Sequence, residues 1–188
     1  MLKGFMKYML LCFFIFCIGG VGYSQELTRE EEIGGILDKL GLTLIMPVEA
    51  AYQFQNTRKN EFFTYDYRIK EKAGHSEILI AVFPKGIASV NEQHPHLAFQ
   101  RYLPNLAPNN DDQEIMVLSW GDRELMERNA DWGAEAYMSA RKEITSFPKT
   151  KFIGFFKEDI GMVFMAYCFD NIDELPLLLK FKDADQDK

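Results

Sequence analysis

Along residues 63–70, FTYDYRIK, the side chains Phe63, Tyr65, Tyr67 and Ile69 alternate with Thr64, Asp66, Arg68 and Lys70. A period of two predicts an antiparallel strand with one wet face. The segment KAGHS (72–76) supplies a turn, and the nearly all-apolar EILIAVFPKG (77–86) predicts a more buried returning strand, so the two form a hairpin. The pattern changes period at NEQHPHLAFQRYLPNLAPNNDD (91–112), where Phe99, Tyr102, Leu103 and Leu106 fall on one helical face. Pro95 suits the first helical position, with His94 before it, and Pro104 is expected to end regular hydrogen bonding.

Either side of this centre the pattern is less regular. Residues 26–40 predict a helix after a Thr28 cap, with Ile33, Ile36, Leu37 and Leu40 on one face and Gly34 and Gly35 weakening it. LTLIMP (42–47) predicts a short strand stopped by Pro47. In the second half, IMVLSWGDRELM (115–126) and AEAYMSARKEI (134–144) are expected as strands around the turn-forming RNADWG (128–133). TKFIGFFK (150–157) and GMVFMAYCF (161–169) predict a further hairpin around Glu158–Gly161. A last helix is expected from Asp173, carrying Leu175, Leu178 and Leu179, before a charged tail, 183–188, expected to be disordered. Strands joined by hairpins, with helices kept apart, imply an α+β fold: an antiparallel sheet with helices packed on one face and the other face wetter.

This order, carried by Leu42–Pro47, Ile78–Phe83, Phe99–Leu106, Phe152–Phe156 and Met162–Phe169, resembles the PsbP-like group of small α/β/α domains. That group includes extrinsic photosystem proteins and periplasmic proteins of the DcrB type. The resemblance spans most of residues 40–182 and implies a sandwich-like topology and a mainly non-catalytic accessory or binding role. It carries no site residues with it, since fold does not license function.

The N-terminus bears on location. Lys3 and Lys7 flank an apolar run from Tyr8 to Ile18, followed by Gly19, Gly20 and Gly22. A membrane-spanning helix needs about 20 apolar residues, and this run is shorter. A basic start, a short apolar stretch and a small-residue exit at Gly22 and Ser24 match a secretory signal peptide. Neither Cys12 nor Cys17 follows a small residue, as a lipidated cysteine would. The expected organisation is a leader, 1–24, and a single α+β domain, 25–188, exported to the periplasm or beyond, with an uncleaved anchor as the competing reading. Without the leader's two lysines the formal charge falls from −7 to −9. Such acidity argues against nucleic-acid binding, which needs clustered basic residues, and against adhesion to anionic lipid. No stable membrane insertion is expected once the leader is removed. Cys168 then stands alone, so no internal disulfide can form.

Candidate chemistry is sparse. His94 and His96 form the one local hint of a metal site, with Asp111 and Asp112 nearby in sequence and His75 in a distant turn; a zinc site needs three or four converging ligands. Cys168 shares its predicted strand face with Phe164 and Ala166, which favours a buried, inert thiol. The carboxylate pairs Glu61/Asp66, Asp122/Glu124 and Asp131/Glu135 are expected on solvated surfaces rather than across a cleft. No nucleophile elbow, P-loop or dinucleotide fingerprint is present, and no cofactor is implied. The stretch WGDRELMERNADWGAEAY (120–137) stands out, because Trp, Tyr and Arg are favoured at binding hot spots. Trp120, Arg123, Trp132 and Tyr137 form the candidate site for a protein or small-molecule partner. The alternative, that the tryptophans fill the core, stays open. Three functions follow: an exported non-enzymatic binding or accessory protein of the bacterial cell envelope, a small metal-dependent hydrolase using His94 and His96, or an acidic inhibitor or immunity-type protein.

Overall fold

A computed structural model describes residues 34–45, 52–55, 57, 60–86, 94–109, 114–171 and 179–183. Contacts divide the chain into residues 1–36 and 37–188, and all labelled elements below lie in the second unit. The expected leader, the helix start at Thr28, Asp111 and Asp112, the closing helix from Asp173 to Leu178, and tail residues 184–188 lie outside the described residues.

The strands are β1 (Leu42–Leu44), β2 (Tyr52–Gln55), β3 (Tyr67–Glu71), β4 (Ser76–Pro84), β5 (Met116–Ser119), β6 (Trp132–Met138), β7 (Lys149–Lys157), β8 (Gly161–Phe169) and β9 (Leu179–Phe181). Helix α1 spans Pro95–Leu106 and α2 spans Asp122–Arg128; residues 34–39 are also helical. Seven strands form one antiparallel sheet in the order β2-β3-β4-β8-β7-β6-β5, and β1 pairs with β9 in a separate two-stranded ribbon. The fold is α+β, with an antiparallel sheet, as the hairpin pattern predicts.

Alternation along the strands assigns the two faces. Leu79, Ala81, Ala134, Ala136, Phe152, Phe156, Phe164 and Ala166 share the face that packs on Ala98, Phe99, Leu103 and Leu106 of α1. Phe99 lies directly over Gly154, where an added Cβ would meet its ring at 2.6 Å. The glycine lets the helix seat the fully buried Phe99 against the backbone, and Phe99 stacks on Phe152 at a centroid distance of 5.1 Å. On the opposite face, Ile69, Ile78, Ile80, Ile153, Phe155, Val163, Met165 and Tyr167 are also buried. Phe181 of the ribbon meets Phe155 edge-on at 5.2 Å, and α2 brings Arg128 over the same ring. The expected wet face is therefore largely dry, because a second layer covers its centre.

Several local expectations change, each for a stated reason. Helix α1 continues past Pro104 to Leu106. Proline removes one hydrogen bond, but Pro104 and Gln100 sit on the solvent side. The last carbonyls are then met by Arg141: its Nε donates to Asn105 O at 2.8 Å, its Nη2 to Pro104 O at 3.2 Å, and its backbone N–H to Leu106 O at 2.9 Å. Residues 115–126 do not form one strand. The chain leaves β5 at Ser119 and starts α2, where Glu124 Oε2 accepts the Gly121 N–H at 3.0 Å and Asn129 closes the helix at φ 50°. Asp122 and Glu124 at its start and Arg128 at its end complement the helix dipole.

Strand β3 begins at Tyr67 instead of Phe63, since Asp66 accepts the Val82 N–H at 2.8 Å through its carboxylate and interrupts the ladder. Phe63 and Tyr65 still enter the core. Leu179 belongs to β9, not to a helix, because Leu42–Leu44 offers it a strand partner. Strand β2 had no clear signal in the sequence.

Candidate functional site

Strand β6 carries the region singled out by sequence. Trp132 and Tyr137 lie five positions apart on one strand and so point to opposite faces. Trp132 faces α1, its ring edge-on to Phe99 at 5.9 Å, packed against the aromatic core. Tyr137 faces the other side together with Gly133 and Glu135. Trp120, just beyond β5, donates its backbone N–H to Gly133 O at 3.0 Å and lays its indole across that glycine. A Cβ on Gly133 would sit 2.0 Å from Trp120 Cε3, so only glycine admits this approach. The two tryptophans thus occupy opposite faces and do not form one platform.

Around Trp120 the side chains interlock. Its ring stacks on Phe155 at 6.0 Å with an interplanar angle of 22°, and the Arg128 guanidinium lies 5.4 Å from its centroid. Arg128 Nη1 also donates to Leu179 O at 3.0 Å, tying α2 to the ribbon. Burial pulls the Arg128 guanidinium down to about 10, against the pull of Glu127 and Glu135, which leaves it cationic at neutral pH.

The centre of the cluster is Glu135. Its Oε2 accepts Trp120 Nε1 at 3.3 Å and pairs with Lys151 Nζ at 2.7 Å, while its Oε1 accepts the Tyr137 hydroxyl at 3.0 Å. Lys151 Nζ also sits 5.1 Å from the Tyr137 ring centroid. One carboxylate therefore orients an indole, a phenol and an ammonium group. The Glu135 and Lys151 side chains are each 16% exposed, so the pair is partly desolvated and stronger than a surface ion pair.

The cluster borders an apolar strip. Met116 pairs with Tyr137 and Leu118 with Glu135, so both side chains share the Tyr137 face. Met116 is 54% and Leu118 45% exposed. Arg123, by contrast, points into solvent from α2 with 84% exposure and pairs with Glu127 at 3.1 Å, away from the cluster. Of the four candidates the structure joins Trp120 and Tyr137; it adds Glu135, Lys151, Arg128, Met116 and Leu118. Only Glu135, two residues before Tyr137 on its strand, had a readable sequence signal.

The remaining candidates sit elsewhere. His94 and His96 are exposed at the start of α1, their rings 6.0 Å apart and edge-on. Among the described residues no group of three His, Cys, Asp or Glu side chains converges as a metal site would require. His75 is exposed in the β3–β4 turn. Cys168 is fully buried, and burial pushes its thiol up to about 12 despite a hydrogen bond from Thr150. Beside it runs a buried polar chain. Arg68 Nε donates to Glu77 Oε2 at 2.8 Å, its Nη2 donates to the same oxygen, and Thr145 Oγ1 donates to Glu77 Oε1 at 2.7 Å.

Of the remaining paired carboxylates, Asp66 and Asp131 accept backbone N–H groups, the latter from Glu158 at 2.8 Å. Glu61 lines an open cavity of about 820 Å³ with Asn60, Phe62, Thr64 and Glu143. None of the three histidines lines that cavity. No described helix is long and apolar enough to cross a membrane. Comparison with known protein families, with curated proteins and with solved structures finds no match.

Proposed function

We propose that this chain is a non-enzymatic recognition module of the bacterial cell envelope, engaging a protein partner through the surface formed by Met116, Leu118 and Tyr137. The observation that carries this reading is the Glu135 hub. It holds Trp120, Tyr137 and Lys151 in one arrangement beside exposed apolar side chains. A rigid aromatic anchor next to a fixed charge loses little side-chain freedom on binding. The carboxylate is matched by an ammonium group, an indole N–H and a phenol, which suits positioning rather than proton transfer. The resemblance of the sequence to PsbP-like domains and its leader-like N-terminus support the same kind of role, outside the cytoplasm.

The test is co-purification from the envelope fraction with wild-type and Tyr137→Ala bait. A partner specific to this surface should be weakened by at least about 30-fold in the variant, the scale of a hot-spot truncation. The variant should keep its circular dichroism and melting temperature. Equal recovery of every partner by a folded Tyr137→Ala protein would refute the assignment. Sequencing of the mature N-terminus should begin at Gln25 if the leader is cleaved.

A further inference from the structure

Arg128 closes α2 and reaches back over the Trp120 and Phe155 rings, 5.4 and 5.5 Å from their centroids. Its Nη1 donates to Leu179 O at 3.0 Å, and that bond with the two rings holds the guanidinium in place. Among the described residues nothing accepts from its Nε or Nη2. No buried side-chain nitrogen there lacks a hydrogen-bond partner, so both atoms reach the surface. They form the side edge of the guanidinium, two parallel donors that match the two oxygens of a carboxylate.

The chain uses this same edge elsewhere. Arg68 turns Nε and Nη2 to Glu77, and Arg141 turns them to the last carbonyls of α1 and to Asn109. At Arg128 the edge is open. No described carboxylate is ion-paired with it, because each acid nearby is engaged: Glu127 with Arg123, Glu135 with Lys151, and Glu124, one turn back on α2, with the Gly121 N–H. Burial lowers the guanidinium to about 10, as it does for a cation that is desolvated without a matching anion. An arriving anion recovers part of that cost.

We infer that the Nε–Nη2 edge of Arg128 takes a carboxylate, and that its owner is the protein docking on Met116, Leu118 and Tyr137. The second half rests on the recognition reading above; the site itself does not. Trp120 lies across Gly133, and Leu118 pairs with Glu135, two positions further along the same face of β6. The nook over Trp120 is therefore two strand residues, roughly 7 Å, from the apolar strip. A partner that sets an aspartate or glutamate beside an apolar residue spans that distance. A planar, singly charged carboxylate suits the edge better than a phosphate, whose second charge would meet the field of Glu127 and Glu135.

Titration of the purified chain with small carboxylates, followed at the Arg128 Nε–H signal in proton–nitrogen correlation spectra, needs no partner and leaves Tyr137 intact. N-acetylphenylalanine carries both a carboxylate and an apolar ring. It should move the Arg128 signal in a saturable way, and its uncharged amide should not. Arg128→Lys keeps the charge and loses the fork; read at the Trp120 indole N–H, it should bind at least about tenfold more weakly, with circular dichroism unchanged. The comparison of acid with amide is made on the wild type and stands even if the lysine variant folds poorly. Acetate, which cannot reach Leu118, should bind at least about tenfold more weakly than N-acetylphenylalanine, and inorganic phosphate should also bind more weakly.

An Arg128 signal that stays still up to about 100 mM acid, an amide that binds as well as the acid, or a preference for phosphate would overturn the site. Acetate binding as tightly as N-acetylphenylalanine would make this a site for free small anions and overturn the assignment to a docking partner. A partner lost from the Tyr137→Ala bait, with no carboxylate bound at Arg128, would refute this inference and leave the docking surface standing.

Discussion

Replacing Gly133 with alanine puts one methyl group where the Trp120 indole already lies. The new Cβ would stand 2.0 Å from Cε3, 2.5 Å from Cδ2 and 2.7 Å from Cζ3. Carbon atoms rest at roughly 3.5–4.0 Å, so the ring must withdraw by about 1.5 Å. It is held by Phe155 on one side, by Arg128 and by Glu135 at its nitrogen. Withdrawal loosens a stack worth about 0.5–1.5 kcal/mol and a cation–π contact worth about 0.5–1 kcal/mol. Against this, alanine restricts the unfolded chain and returns about 0.4–1 kcal/mol. Overpacking of this kind costs roughly 1–3 kcal/mol, so the expected net loss is about 2 kcal/mol. For a chain of this size that lowers the melting temperature by about 4–8 °C.

Urea unfolding followed by circular dichroism gives the energy. Emission in a Trp132→Phe background reports Trp120 alone and should shift to the red as the indole is displaced. In a Trp120→Ala background the same glycine substitution should become neutral or stabilising, since the clash is gone. A loss below about 0.5 kcal/mol, or the same loss with and without Trp120, would refute the claim that Gly133 exists to seat that ring.

The buried Arg68–Glu77–Thr145 chain should be sensitive to removal of its acceptor. Glu77→Ala leaves a guanidinium without its partner and should cost about 3 kcal/mol in urea unfolding. Cys168 makes stability pH-dependent. Its thiol titrates near 9.0 when unfolded and is pushed up to about 12 by burial, so its contribution is complete below about 9 and is lost as pH rises toward 12. The stability difference between wild type and Cys168→Ala should therefore be flat from pH 6 to about 8 and shift against the wild type above pH 9. In the α1 interface, Phe99→Ala should cost about 3–5 kcal/mol. Arg123→Ala should change stability by no more than about 0.5 kcal/mol, and denaturation of the pair side by side checks the contrast between core and surface.

Periodicity along the chain determined the elements whose partners are near in sequence. The β3–β4 and β7–β8 hairpins, the start of α1 at Pro95 and the shared face of Phe164, Ala166 and Cys168 were all readable, because alternation and turn residues are local. Tertiary structure alone decided which strands distant in sequence lie side by side. Period-two alternation says that Glu135 and Tyr137 share a face, but not that Lys151 of β7 and Trp120 beyond β5 arrive on it. That depends on the register of three strands at once.

The two tryptophans look alike as Trp-Gly pairs, yet one packs half-buried against the core and the other lies over Gly133, since the chain reverses direction between them through α2. Leu179 became a strand residue for the same reason: its partner, Leu44, is far away in sequence. Hydrophobic pattern fixes what must be buried. Which surface remains open, and hence where a partner can bind, emerges only when long-range pairing has used up the alternatives.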